Sequence, residues 1–436
     1  MSQDGGFMSV RFAPRTVASA LAFYVRFYRA AYRALSRDAK LLVFAGGVNS
    51  IPFGVNAVAL PVYLTDHLGY LPVVAGTVFT IQGAVAVALT IPLGIVADRF
   101  GRKRIVVLGG LFAAASFFLL PFAASIVALY AAAVCAGLAG AFAFAPLQAL
   151  LAEASADEER TVVFGMSFFL QSAAQSLASL AATGPELLLS AGWDVVPAYA
   201  TLFAGAGVAV LAGPALLART SARERRTARE RGLLSRRSRA TVSKYFASNA
   251  IIGLGAGLVI PILSLWFLLK FHQKETFTGP LFAAGNLVNA VAFLAAPILA
   301  RRYGMVRTVV TLQFAATAFL LGMAVVPGTD AYLPAASALY LARNAAMNMS
   351  GPVSSSFLMG AVEPDERSSA SAVVGVSFRL PNAISTTFGA AMMAQNPDSP
   401  LYVTTALYVV GVTAFYAFFR GVPEKRASPV SKPPPE

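Results

Sequence analysis

Two arginines lie where charge is costly. Arg343 and Arg379 fall inside long apolar runs, each near the middle of its run, and no Asp or Glu sits at the same depth. A cation at bilayer depth costs about 2.5–3.5 kcal/mol on insertion scales, so such residues face an aqueous cavity or a dedicated partner. Guanidinium groups beside a water-filled cavity favour an anionic solute, because the planar fork pairs bidentately with carboxylate or phosphate. The alternative is structural: Arg343 and Arg379 hydrogen-bond backbone freed by Pro352 or Pro381, or amides such as Asn348 and Asn382. Further polar candidates inside apolar runs are Asn49, Asn56, Gln82, Gln148, Gln171, Gln175, Asn249, Asn286, Asn289 and Asn348. For each of these a single interhelical hydrogen bond competes with solute contact.

Catalytic chemistry has no comparable foothold. H-E-x-x-H, G-x-S-x-G and G-x-x-x-x-G-K are all missing from the sequence, which has one cysteine, Cys135, and two histidines. An enzyme and a nucleotide-driven pump are therefore disfavoured, and no cofactor and no metal are expected. One cysteine also excludes an internal disulfide framework. His67 and His272, in matching loops, read as solvated surface residues, and with no buried titratable carboxylate a proton-coupling site is not expected.

The elements that position these residues are transmembrane helices. Of 436 residues, 57% are hydrophobic and 12% charged, against about 25% charged in soluble domains. Apolar runs near the roughly 20 residues that cross a bilayer as helix recur at 41–64, 72–97, 105–123, 125–152, 161–187, 196–217, 244–268, 277–300, 307–326, 331–362, 368–393 and 400–419. The ten-residue alternation of transmembrane strands is absent. Of 34 Lys and Arg, 30 fall in the termini and in alternate loops, whereas the intervening loops hold only Lys270 and Lys274. The positive-inside rule then puts both termini and the long middle loop in the cytoplasm of a multi-pass cell-membrane protein. This placement also accounts for the net charge of +14 without a nucleic-acid partner; membrane lipid is the expected surround and a monomer the expected state.

The domain plan is a basic segment 1–40, bundles at 41–217 and 244–420, a basic linker 218–243 and a tail 421–436. Residues 16–35 read either as an amphipathic helix on the inner leaflet or as a solvated lead-in. The bundles repeat. ALY at 128–130 meets ALY at 338–340, GMSF at 165–168 meets GVSF at 375–378, and Pro61 meets Pro261. Duplicated bundles can rock about a site between them, which a channel or enzyme does not need. Pro61, Pro146, Pro261, Pro352 and Pro381 are candidate bending points.

Directly after the second run stands GIVADRFGRKR: Gly94, Asp98, Arg99, Gly101, Arg102, Lys103 and Arg104. Gly94 permits close helix approach and Gly101 a tight turn. This segment resembles the loop 2–3 signature of the major facilitator superfamily. The resemblance implies an all-α fold of twelve transmembrane helices in two pseudo-symmetric six-helix bundles, and secondary transport of a small-molecule solute by alternating access. It also implies a latch, in which Asp98 with Arg102 holds the cytoplasmic side shut in the outward-facing state. The second-half copy has Arg301 for the Asp and keeps Gly304 and Arg307. Helices 1, 4, 7 and 10 line the cavity in the superfamily, which ranks Asn49, Asn56, Gln148, Asn249 and Asn348 first among the amides. Drug–proton antiporters of the superfamily carry a glycine pair in helix 5 and an arginine in helix 4. Here Gly184-Pro185 comes late in helix 5 and helix 4 has no arginine. The sequence leans to an anionic solute, with drug or metabolite efflux as the alternative.

Overall fold

A computed structural model describes residues 35–154, 160–220, 235–363 and 366–422. The basic N-terminal segment up to residue 34, most of the linker and the tail from residue 423 lie outside the described residues.

Among the described residues, long apolar sequence between short polar breaks folds into twelve helical rods, and there is no strand. The first, α1, comes in two pieces, Arg37–Val48 and Ile51–Val62, and ends in a π turn, Tyr63–His67. Pro52 and Pro61 explain its irregularity, since neither can donate a backbone N–H to the helical ladder. Then follow α2 (Pro72–Phe100), α3 (Arg102–Leu119), α4 (Ile126–Glu153), α5 (Arg160–Ala181, continued as Gly184–Ser190) and α6 (Val195–Ala218). In the second half, α7 runs Arg236–Val259 and resumes at Leu263–Phe271 after a 3-10 turn, Ile260–Ile262, centred on Pro261. The set closes with α8 (Glu275–Tyr303), α9 (Met305–Val325), α10 (Leu333–Ala361), α11 (Arg367–Gln395) and α12 (Ser399–Phe419).

Eight of the rods are long and apolar enough to cross a membrane by length and composition alone. The remaining four, α5, α8, α10 and α11, carry Gln171, Gln175, Asn286, Asn289, Arg343, Asn348 and Arg379 among their polar residues. Helix α7 begins at Arg236, ahead of the expected 244. Ser235 caps it by accepting a hydrogen bond from Ser238 N at 3.3 Å, so the helix continues beyond the apolar stretch.

Packing repeats between the halves. In the first, α1 packs on α5 and α6, α4 on α2 and α3, and α3 on α6; in the second, α7 packs on α11 and α12, α10 on α8 and α9, and α9 on α12. Each contact has its counterpart six helices later. The turns repeat as well: Gly101 and Gly304 end α2 and α8 with φ of 100° and 86°, a conformation that costs a glycine little. Between the halves the principal contacts are α2 with α11 and α5 with α8, which the same repeat operation exchanges.

Both described chain ends lie on one face, the terminal face; the opposite one is the distal face. Toward the distal face one cluster of buried apolar side chains runs through both halves, from Val55, Tyr63 and Phe203 to Trp266, Phe282 and Met393. Toward the terminal face the described buried apolar residues form two clusters, one per half. Leu42, Val106, Leu150 and Leu217 belong to the first, and Tyr245, Val309, Phe357 and Phe415 to the second. The shared core is thus distal.

Candidate functional site

Small residues let the halves meet closely on the distal side. A Cβ at Gly83 of α2 would stand 2.4 Å from Ala383 Cβ of α11, and one at Gly279 of α8 would stand 2.8 Å from Ser179 O of α5. Hydrogen bonds fix the same seams. Thr80 donates to Ala383 O at 2.7 Å and lies 2.8 Å from Thr387 Oγ1; Ser176 donates to Ala283 O at 3.0 Å.

Arg379 belongs to this seam. It lies one turn before Ala383 on α11, on the stripe that continues through Thr387 and Ala390 against α2. It is about 18 Å along a helix of about 43 Å, at 1.5 Å per residue, and its side chain is exposed. The contact with α2 is made at Ala383, and Arg379 stands one turn from it toward the terminal face.

Arg343 points elsewhere. Only 4% exposed, it donates from Nη2 to Tyr408 OH of α12 at 3.0 Å, inside the second half. Its Nε is buried with no hydrogen-bond partner. Asn249 likewise works within its own half, donating to Ser377 Oγ of α11 at 2.9 Å. Asn348 donates to Asn289 Oδ1 at 3.1 Å and to Asn344 Oδ1 at 2.9 Å, forming an amide cluster between α8 and α10 that includes Asn344, a residue not singled out from sequence. Asn49 sits at the break in α1, with its Nδ2 buried and unpartnered; Asn56 Oδ1 and Gln148 Oε1 are also buried without partners.

In the signature segment, Gly101 forms the turn and Arg102 pairs with Glu153 of α4, within the same half. Lys103 donates to Thr220 O at 2.8 Å, and Arg104 is exposed. The side chains of Asp98 and Arg99, and the surroundings of Gly94, lie outside the described residues.

The sequence reading missed a charged cluster on the distal face. Lys274 Nζ of the second half lies 2.9 Å from Asp66 Oδ2 and 3.8 Å from Glu186 Oε1, both in the first half. The hydrogen bond to Asp66 holds the Lys274 ammonium above its usual range. Glu275 is fully buried and accepts a hydrogen bond from Tyr199 OH, whose ring stacks on Tyr63 at 4.4 Å. Two expectations are corrected here. His67 is not a solvated loop residue, for only 9% of its side chain is exposed, and a buried carboxylate exists in Glu275. Both were missed for one reason: they sit at span ends, where sequence reads as loop, and the meeting of two halves buries them. His272, the matching histidine, is exposed.

Sequence comparison agrees with this architecture. The profile of the Major Facilitator Superfamily matches residues 42–386. The chain belongs to the major facilitator superfamily. It is accordingly a multi-pass membrane protein of a transporter family. A stretch of 156 residues, 32% of the chain, is 30% identical to the multidrug resistance protein MdtH of Yersinia enterocolitica and spans 39% of that relative's length. Among solved folds, a mutant form of the nucleoside transporter NupG superposes with a TM-score of 0.69 at 14% identity, covering 87% of this chain and 99% of that one. A bacterial homologue of the iron transporter ferroportin in its inward-facing state gives 0.68 at 16%, covering 88% and 98%. A bacterial homologue of the lysosomal transporter Spinster, inward-facing and unoccupied, gives 0.67 at 14%, covering 88% and 96%. At these identities the likeness is one of fold, and it extends over both halves of this superfamily member.

Proposed function

We propose that this superfamily member moves a small anionic solute by alternating access, and that the arrangement described is its inward-facing state. One observation carries the reading: among the described residues a single apolar core joins the halves on the distal side, while each half keeps its own core on the terminal side. With the termini cytoplasmic, as the distribution of Lys and Arg argues, the distal side is external and closed. Solute then enters and leaves the cleft from the cytoplasm in this state.

Arg379 is the residue we assign to the solute's negative group, because it is an exposed mid-helix cation one turn before Ala383, whose methyl meets Gly83 of the other half. The amide cluster of Asn289, Asn344 and Asn348 supplies neutral donors and acceptors for the rest of the solute. Arg343 orders α10 against α12. In the opposite state the distal seam parts and the halves close on the terminal side, where Asp98 acts as a latch by resemblance to other family members.

A second reading, export of organic compounds, is favoured by the match to a multidrug resistance protein. Purified protein in liposomes separates the two. Uptake of anionic, cationic and neutral solutes is measured with and without a pH gradient. The anion reading expects saturable flux of anionic solutes that is lost in Arg379→Gln; flux confined to cationic or neutral compounds overturns it.

A further inference from the structure

At the distal closure three metal-ligating atoms converge from both halves. His67 ends α1, Glu186 lies in the distal piece of α5, and Glu275 opens α8. Their ligand atoms all lie within 4.8 Å of one another. Clusters of acidic groups are common, but this one has a feature that hydrogen bonding leaves unexplained. Glu275 is 0% exposed, its Oε1 is taken by Tyr199, and its Oε2 is buried with no hydrogen-bond partner. His67 Nε2 and Glu186 Oε2 are buried and unpartnered in the same way. Three buried polar atoms that face one another with no hydrogen bond among them are costly, since each loses its water and gains nothing. A cation between them removes the cost.

The charge balance points the same way. Asp66, Glu186 and Glu275 face Lys274, which bonds Asp66 directly at 2.9 Å. Three carboxylates against one ammonium leave two formal negative charges when His67 is neutral. A dication matches that excess. One imidazole nitrogen with carboxylate oxygens suits zinc or a similar first-row divalent ion, whereas magnesium and calcium prefer oxygen alone. His67 Nε2 and Glu186 Oε2 are 3.9 Å apart, close to the roughly 3.4 Å between two ligands of a tetrahedral zinc with bonds of about 2.1 Å.

We propose that His67 Nε2, Glu186 and Glu275 Oε2 form a binding site for one divalent transition-metal ion, which clasps the two halves together on the distal face. Asp66 stays with Lys274 at the rim, and Tyr199 orients the Glu275 carboxylate from behind, as outer partners do for metal ligands. Because His67 and Glu186 belong to one half and Glu275 to the other, the site exists only when the distal side is closed. Metal binding therefore favours that state by mass action.

The test uses the full-length chain purified in detergent and freed of metal, titrated with zinc chloride and separately with magnesium chloride. Calorimetry is expected to give one zinc per chain, and zinc to raise the melting midpoint by several degrees where magnesium at the same concentration does not. His67→Gln and Glu186→Gln are each expected to weaken zinc binding at least tenfold. His272→Asn, which tolerates that residue's positive φ, leaves binding unchanged. If Glu275→Gln does not fold, the other two variants still decide. No zinc binding to the wild-type chain, or binding indifferent to His67→Gln and Glu186→Gln, overturns the proposal. These measurements need no solute, so their failure leaves the transport reading standing.

Discussion

The two buried-depth arginines divide by what surrounds them. In the role proposed for Arg379, replacing it removes a charge-assisted contact to solute while the halves keep their cores. That contact is worth roughly 1.5–3 kcal/mol, and Arg379→Gln is expected to raise the solute dissociation constant about ten- to hundredfold, a larger effect than its effect on the melting midpoint. Lysine restores the charge without the planar fork and should rescue only in part. Tyr408→Phe gives the opposite pattern. It strips Arg343 Nη2 of its acceptor at 3.0 Å in a buried setting and is expected to cost about 1–3 kcal/mol of stability, with solute affinity retained by the folded fraction. Binding and thermal melting measured on the same preparations check both. A third residue belongs beside them. Lys270 Nζ, only 6% exposed, lies 2.7 Å from Asp398 Oδ1, donates to Met323 O and Ala324 O, and sits 5.2 Å over the Trp266 ring. Asp398→Ala leaves this ammonium buried without its counter-charge, and a loss of about 3 kcal/mol is expected by denaturant unfolding, again without change in solute selectivity.

Between elements, the seams α2 with α11 and α5 with α8 are close and built on small residues, so they are sensitive to added volume. Gly83→Val places atoms inside the Ala383 methyl contact, where a Cβ alone meets only Ala383 within 4 Å. The distal closure is expected to weaken and the bundles to fold. Asp98→Asn is expected to act in the other direction, by removing the carboxylate that the superfamily uses to hold the terminal side shut. A thiol at Ser176, which the α5–α8 seam buries to 4%, reports on both. In a Cys135→Ala background, Ser176→Cys should be labelled faster from the distal side with Gly83→Val and more slowly with Asp98→Asn. Equal labelling in all three proteins would show that neither residue biases the seam.

At the scale of the whole molecule, repeat symmetry and charge placement together set orientation. Every principal contact of the first half recurs in the second, and the seams between halves map onto one another, as two bundles rocking about a shared axis require. The linker that joins them carries much of the positive charge, so it should lie in the cytoplasm. A membrane-impermeant thiol reagent is expected to reach Glu230→Cys only after the cells are opened, and to reach Lys274→Cys from outside intact cells.

The helical architecture, the division into two halves and the superfamily were legible in the amino-acid order, because each rests on local properties. Apolar run length fixes a spanning helix, Gly101 in GIVADRFGRKR fixes a turn, and matched segments such as GMSF and GVSF reveal duplication without any knowledge of contacts. Helix periodicity could also show that Arg343 and Arg379 lie deep. It could not tell them apart, since both are arginines at mid-span. Only packing decides that Arg343 meets Tyr408, sixty-five residues away in sequence, while Arg379 stands exposed one turn before the α2 contact at Ala383. The distal cluster was hidden for a related reason. Asp66, His67, Glu186, Lys274 and Glu275 read as loop-flanking charges one at a time, and their burial arises when two separately folded bundles press together. Desolvation of a charge depends on what covers it, and what covers these residues comes from the other half of the chain.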